Sequence, residues 1–500
     1  MRSRPAPFTQ ERRALTTLLW ALGAVGLLVF SILGASRGEA DAVIALIPAA
    51  LVGIVLLARP EVGVMALTST FFLPVPESLE RIGPFNIYEI LSAVLAAMLL
   101  ARLAIERRLD ILKSRQVQCI CLLLLTMWVN TIFNDRTVPF GRLAPSSWED
   151  QPIRTLSRDL DSTDLRFRYA FLCSMYVVFC VAFVRRRWQI LLLIGLVVSF
   201  VLMTSPNAIW HALTSEGAFD ETRASATFGI AAARNANRLA FFCVLAITFI
   251  GYAMQGLKSR PVTLLGAPVI VMLVVTIFLS ASRSGFLNLG LLSLLFLYRT
   301  GLTRGRIVGL MLVLLVAGVA VLTLVPESHL ERITAFFATD RAVDSTGSSG
   351  GSNLARMEML RVGLRMFADN PLLGVGIGNS RWLAIVEYGG LRISGLHNSY
   401  VTALVEGGLV LMAAYLLLFW SILASLARTR RLAAVSPGLQ LGWVVEATWT
   451  SFLLLLVFSA FADVWHEISL FLLTALSVTL ERLYRREAAI VPAARELAAA

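Results

Sequence analysis

The sequence predicts an all-α polytopic integral membrane protein of about 12–14 transmembrane helices, with a long, partly helical outer loop before the third-last span. Three observations carry this prediction. Of the 500 residues, 57% are hydrophobic and the mean hydropathy is +0.76, more apolar surface than a soluble core needs. The apolar residues come in runs such as TLLWALGAVGLLVFSILG (17–34) and IVGLMLVLLVAGVAVLTLV (307–325), each near the ~20 residues that cross a bilayer core. Arginine clusters fall on alternate connections between these runs. Lipid offers the backbone no hydrogen-bond partner, so each run must be a helix.

Taken in order, the runs lie near 14–34, 42–58, 61–76, 86–105, 116–133, 168–184, 188–206, 237–256, 262–280, 284–298, 307–326, 399–427, 440–461 and 466–482. Counting the pairs around 42–76 and 440–482 differently gives the lower number. With a cytoplasmic N-terminus, ERR (11–13), the basic loop 101–116, RRR (185–187), LKSR (257–260), RTGLTRGR (299–306), RTRR (428–431) and RLYRRE (482–487) all fall inside. This is the positive-inside pattern of an inner-membrane protein with both termini cytoplasmic. The net charge of +12 is therefore a topology signal and calls for no nucleic-acid partner. The first run lacks a small-residue cleavage site and reads as a retained anchor. Cys119, Cys121, Cys173, Cys180 and Cys243 sit in or beside apolar runs without ligand spacing, so they read as small packing residues.

Four outer segments stand out: 134–167, 207–236, the short turn SASRSG (280–285), and 327–398. A connection as long as the last is functional or disordered. It has internal order. STGSSGG (345–351) is a flexible tether, after which Ser352 or Asn353 can cap a helix. Within LARMEMLRVGLRMFADN, Met357, Leu360, Leu364 and Phe367 recur at helical spacing and form one apolar stripe. Arg356 and Arg361 flank it, so the helix can lie flat on a membrane or protein surface. Pro371 ends the helix, and GVGIG (374–378) follows as a turn with available backbone N–H groups. His397 and Asn398 then stand at the head of the next apolar run, with Asn398 or Ser399 as the helix cap. Ser399, Thr402 and Glu406 make one polar stripe on that helix, and a carboxylate there should face the protein interior and find a partner. Arg283 is the partner the sequence suggests.

These residues carry a resemblance. RMEML (356–360), DNPLLGVGIGNS (369–380) and HNSYVTALVEGGLV (397–410), in that order, resemble the signature of the O-antigen ligase and O-antigen (exopolysaccharide) polymerase superfamily of bacterial envelopes. Arg356 with Leu360 matches its Arg-x3-Leu element, and His397 with Gly408 its His-x10-Gly element. RASATFGIAAARNANRLA (223–240) is similar to a further family pattern, but Ala226 and Ala236 depart from it and Ile230 to Arg234 look inserted. The resemblance implies three regions: N-terminal spans over 1–206 with the outer loop 134–167, a ligase-like core over 207–430 with the periplasmic loop 327–398, and C-terminal spans with a cytoplasmic tail over 431–500.

It also implies a glycosyltransferase with an undecaprenyl-diphosphate-linked glycan donor, a glycan or lipid A-core acceptor, the lipid bilayer as surroundings, and other polysaccharide-assembly proteins as further partners. The leaving diphosphate needs guanidinium groups, which bind it by bidentate hydrogen bonds; Arg223, Arg283 and Arg356 are the candidates. The acceptor hydroxyl must lose a proton near neutral pH, the task of a histidine; His397 is the candidate base, with Glu406 beside it as the second catalytic candidate. Asn398, Asn237 and Gly376 are expected to support the site. Taken singly, each has a plainer reading: Arg283 as an arginine on lipid phosphates, Arg223 as a loop charge, Arg356 as the edge of an amphipathic helix, Glu406 as a structural ion pair. No metal site and no cofactor are expected. A lipid-linked oligosaccharide flippase is the alternative, disfavoured by the long outer segment and the absence of an internal repeat. Polymerase is slightly preferred to ligase for the high span count and the loop 134–167.

Overall fold

A computed structural model describes residues 59–72, 81–82, 85–106, 111, 113–134, 162–214, 235–301, 303–324, 350–380, 383–384, 387–388, 396–464 and 467–499. Twelve of its helices fall on expected apolar runs. They are α1 (Pro60–Phe72), α2 (Ile87–Glu106), α3 (Arg115–Phe133), α4 (Ser162–Phe183), α5 (Arg187–Thr214), α6 (Ala236–Leu257), α7 (Arg260–Leu279), α8 (Arg283–Thr300), α9 (Arg304–Leu324), α11 (Ser399–Val435), α12 (Gly442–Phe458) and α13 (Ile468–Ala499). The expected runs at 14–34 and 42–58 lie outside the described residues. So do residues 135–161, most of the outer loop expected between α3 and α4. Between α9 and α11 comes α10 (Gly350–Asp369), the helix expected in the long outer segment. It starts before Ser352 and Asn353, so neither is its cap. Strands β1 (Arg81–Ile82) and β2 (Phe85–Asn86) pair antiparallel between α1 and α2, a four-residue departure from an all-α protein.

Helices α2, α3, α5, α6, α7 and α11 are long and apolar enough to cross a membrane, and α4 and α12 carry shorter apolar stretches. The centre belongs to α6. Its residues Leu239 to Phe249 are buried all round, as a helix without a polar face must be. It packs on α5, α7, α8 and α12, with Phe241 stacked on Phe458 at 4.5 Å. Outward-facing Leu264, Leu294 and Trp420 are mostly exposed, an apolar exterior suited to lipid.

The two ends of the bundle differ in chemistry. At one end the arginines of separate clusters share acids. Arg299 and Arg430 both bind Glu446 and both lie over the Trp449 ring. Arg428 and Arg485 both bind Glu481. This is the end read as cytoplasmic. The opposite end carries the turn between α7 and α8, the helix α10 and the start of α11. Of the cysteines, Cys173, Cys180 and Cys243 are buried and Cys121 is exposed, all as free thiols.

Candidate active site

The site begins with an interruption in α11. Gly408 has φ 64° and ψ −164°, a backbone state open only to glycine. The helix is therefore not the continuous span expected over 399–427. An unbroken helix would join Leu409 N–H to the Val405 carbonyl and Val410 N–H to that of Glu406. Here a segment following α10 takes over all four groups. Val375 N–H donates to Val405 O (2.8 Å) and Gly376 N–H to Glu406 O (3.0 Å), while Pro371 O accepts from Leu409 N–H (2.8 Å) and Leu372 O from Val410 N–H (3.3 Å). The exchange satisfies the four backbone groups that the break would strand. It also corrects one expectation. The N–H groups of Gly374, Val375, Gly376 and Ile377 are already engaged, and Gly376 supports α11 through its N–H, with a φ of 103°.

The same segment is tied to α3. Ile377 N–H donates to Asn130 Oδ1 at 3.0 Å, and Asn130 and Asn134 both donate to the Leu373 carbonyl. Its last residue, Ser380, donates its hydroxyl to Glu406 Oε1 at 2.6 Å. Glu406 is fully buried. The carboxylate expected to find a partner thus accepts from a hydroxyl of the outer segment.

His397 stands at the head of α11 with φ 50°, in the left-handed region that histidine enters more readily than most side chains. Asn398 is the helix cap: its side chain accepts from Tyr400 N–H and Val401 N–H at 3.0 and 3.1 Å. Ser399, next in line, is gripped by the connection between α12 and α13. Its N–H donates to Ser459 O (2.8 Å), its hydroxyl donates to Ala462 O (2.7 Å), and it accepts from Val464 N–H (2.8 Å). Thr402 donates to Asp463 Oδ1 at 2.5 Å. An ion pair between Arg238 of α6 and Glu467, at 2.6 Å, holds that connection from the other side. The backbone at His397 is therefore anchored by the residues that follow it, Asn398 and Ser399.

Of the three expected arginines, two lie within electrostatic reach of each other. Arg283 opens α8 after a turn whose Ser280 and Ser282 are fully buried and whose Ala281 is left-handed. Ser282 caps α8 by accepting from Gly285 N–H at 3.1 Å. Arg356 lies on the flank of α10. Burial, and then the charge of Arg283, push the Arg356 guanidinium below its ordinary pKa. Helix α10 docks on α11 through Met359, Val362 and Met366, which pack with Val375, Leu383, Leu396 and Val405. Of the stripe expected at Met357, Leu360, Leu364 and Phe367, the first three face the other way and are exposed, while Phe367 is half-buried and packs against that cluster. Arg223 lies outside the described residues. Asn237 sits in the first turn of α6, where its N–H donates to the capping Asn235 at 3.0 Å.

Sequence reasoning missed Asn130, Ser380, Arg238, Asp463 and Glu467. One signal was there to read. Arg238 stands in the first turn of an apolar helix, where the helix dipole disfavours a cation, so an acid had to be near. Nothing in the sequence pairs Asn130 with a segment over two hundred residues away.

Fold and candidate site together describe a helical membrane protein in which α11, broken at Gly408, carries the buried Glu406 and begins just after His397, with Arg356 on the helix docked against it within the electrostatic reach of Arg283. A family model described as O-antigen ligase matches residues 268–416. The match runs from α7 to the middle of α11 and contains Arg283, Arg356, His397, Glu406 and Gly408. Over these residues the chain is similar to that family, which supports the O-antigen ligase and polymerase superfamily and a membrane glycan transferase in O-antigen assembly. No curated protein matches the chain.

Proposed function

We propose that the protein transfers a glycan from undecaprenyl diphosphate to an acceptor hydroxyl on the periplasmic side of the inner membrane, with the arginine-rich end cytoplasmic. The observation that carries this reading is that the half-buried Arg356 lies within electrostatic reach of Arg283, inside the region similar to the O-antigen ligase family. Two like charges in a half-buried place repel each other, and that arrangement favours an anionic ligand. A diphosphate neutralises both and accepts planar, bidentate hydrogen bonds. In the reaction, the acceptor oxygen attacks the anomeric carbon, the bond from that carbon to the diphosphate oxygen breaks, and the guanidinium groups stabilise the charge gathering on the leaving group. His397 takes the proton of the acceptor hydroxyl. Direct displacement inverts the anomeric configuration. Arg223 is a third candidate for the diphosphate. Glu406 serves as a positioning residue: its carboxylate is fully buried and holds Ser380. Asn398, Asn237 and Gly376 hold the surrounding backbone. The transfer is proposed to be metal-independent, so EDTA should leave activity intact.

Within this reading we favour a polymerase over a ligase. The test is a gel of surface and lipid-linked glycan from a strain lacking the protein, complemented with wild type, His397→Ala or His397→Asn. The asparagine variant keeps a left-handed backbone accessible. Loss of long chains while single repeat units still reach the surface identifies a polymerase. Long chains retained on undecaprenyl diphosphate, with none on lipid A-core, identify a ligase. Full complementation by both variants overturns His397 as the base. Accumulation of the donor on the cytoplasmic face would favour the flippase instead.

A further inference from the structure

Helix α10 has two apolar faces. One, built from Met359, Val362 and Met366, is buried against α11 and the segment after it. The other presents Met357, Leu360 and Leu364, which are 57%, 38% and 50% exposed. A helix that merely covered a site from the aqueous side would put polar residues there. At 100° per residue, the exposed stripe runs between Arg356 on one flank and the exposed Arg361 and Arg365 on the other.

The stripe continues into the outer surface of a span. Pro371 O and Leu372 O accept from Leu409 N–H and Val410 N–H of α11, so the turn after α10 lies level with those residues. Leu372, Leu409 and Val410 are 65%, 49% and 43% exposed. Helix α11 is apolar and long enough to cross a membrane, and its outward residues Leu416, Leu417 and Trp420 are exposed further along. The apolar strip on α10 is thus joined through Leu372 to a lipid-facing surface, and its flanking arginines suit headgroup phosphates.

We infer that α10 lies in the interface of the bilayer leaflet nearest His397, with Met357, Leu360 and Leu364 in the acyl-chain boundary and Arg361 and Arg365 at the headgroups. An interfacial helix of this kind sinks its apolar face about 5–10 Å below the headgroups. Arg356, on the flank between membrane and protein, is then held at headgroup level. The inference concerns the membrane contact alone and is independent of the proposed transfer reaction.

The test uses the full-length protein in proteoliposomes of phosphatidylethanolamine and phosphatidylglycerol. Cys119 and Cys121 are replaced by serine, and a single cysteine is placed by Met357→Cys, Leu364→Cys or Arg365→Cys and labelled with an environment-sensitive fluorophore. The probes at 357 and 364 should shift to the blue, lose emission to phospholipids spin-labelled near the headgroup, and resist aqueous iodide. The probe at 365 should be quenched by iodide. If the probes at 357 and 364 are quenched by iodide as readily as that at 365, the stripe faces water and the inference fails. If they resist both iodide and spin-labelled lipid, protein covers the stripe, and the inference fails in favour of an intramolecular or subunit contact.

Discussion

The interruption at Gly408 makes a quantitative prediction. A Cβ there would overlap the Leu372 carbonyl and lie 2.7 Å from Leu373 N. The φ of 64° with ψ −164° adds strain of about 1–3 kcal/mol for any other residue. To relieve the overlap, residues 371–373 must move off, and at least the bonds from Leu409 N–H to Pro371 O and from Val410 N–H to Leu372 O are lost. At about 0.5–1.5 kcal/mol each, these bring the cost of Gly408→Ala to roughly 2–6 kcal/mol. The cost is local: it falls on the segment that carries Gly376 and Ser380, so the hold on Glu406 goes with it. Gly374→Ala should behave alike, since its Cβ would sit 2.5 Å from Val405 O at φ +68°. The assay is thermal stability of the purified protein in detergent, with hydrogen exchange read at Val375 and Gly376. Gly318→Ala is the control: nothing lies within 4 Å of its Cβ, and alanine favours a helix interior by up to about 1 kcal/mol. Both site variants should melt lower and exchange faster at those amides, while the control should not. A Gly408→Ala protein with wild-type melting and protection at Val375 would show that α11 runs unbroken and that the exchanged bonds do not form.

Three further outcomes follow from the same geometry. Glu406→Gln keeps an acceptor for the Ser380 hydroxyl, so it should reduce activity without loss of folded protein; unchanged turnover would remove Glu406 from the site. Arg238→Met strands the buried Glu467 and should cost toward the low end of roughly 3–5 kcal/mol, because Arg238 is 27% exposed; the double variant Arg238→Met with Glu467→Leu should recover most of it in a melting assay, and no recovery would refute the pairing. Arg356→Lys keeps the charge but loses the planar fork, so turnover with a polyprenyl-diphosphate donor should fall at least about tenfold, the equivalent of one charge-assisted hydrogen bond; wild-type turnover would mean that Arg356 acts only as a point charge or not at all.

The spans were legible because each is a solution forced by lipid: an apolar run of the right length has one backbone structure open to it. The helix α10 was legible for a related reason, since its apolar residues recur at helical spacing. Which face it buries was not. Met359, Val362 and Met366 make as good a stripe as Met357, Leu360 and Leu364, and only the position of α11 decides between them. The polar residues divide in the same way. Asn398 was readable as a cap, because capping needs only the two following amides. The partner of Glu406 was not, because Ser380 comes near it only after residues 371–376 have docked on the break.

That docking explains why the motif residues stand in this order along the chain. A transferase site at a membrane surface needs its groups fixed to within a fraction of an ångström, yet the segment that supplies one arginine here belongs to a long outer connection. Two further hydrogen bonds in a loop would not hold it. An interrupted span does, because a broken helix has four backbone groups that must be satisfied, and a segment that satisfies them is bound as firmly as a rung of the helix. With 371–376 in the break, α10 lies against α11 and Arg356 lies within electrostatic reach of Arg283. His397 needs no such device. It sits one residue before a capped helix whose next residue, Ser399, makes three hydrogen bonds to the α12–α13 connection. The histidine and the arginines are thus fixed by separate means. Loosening the break should therefore disturb the arginine on α10 first and leave the head of α11 in place.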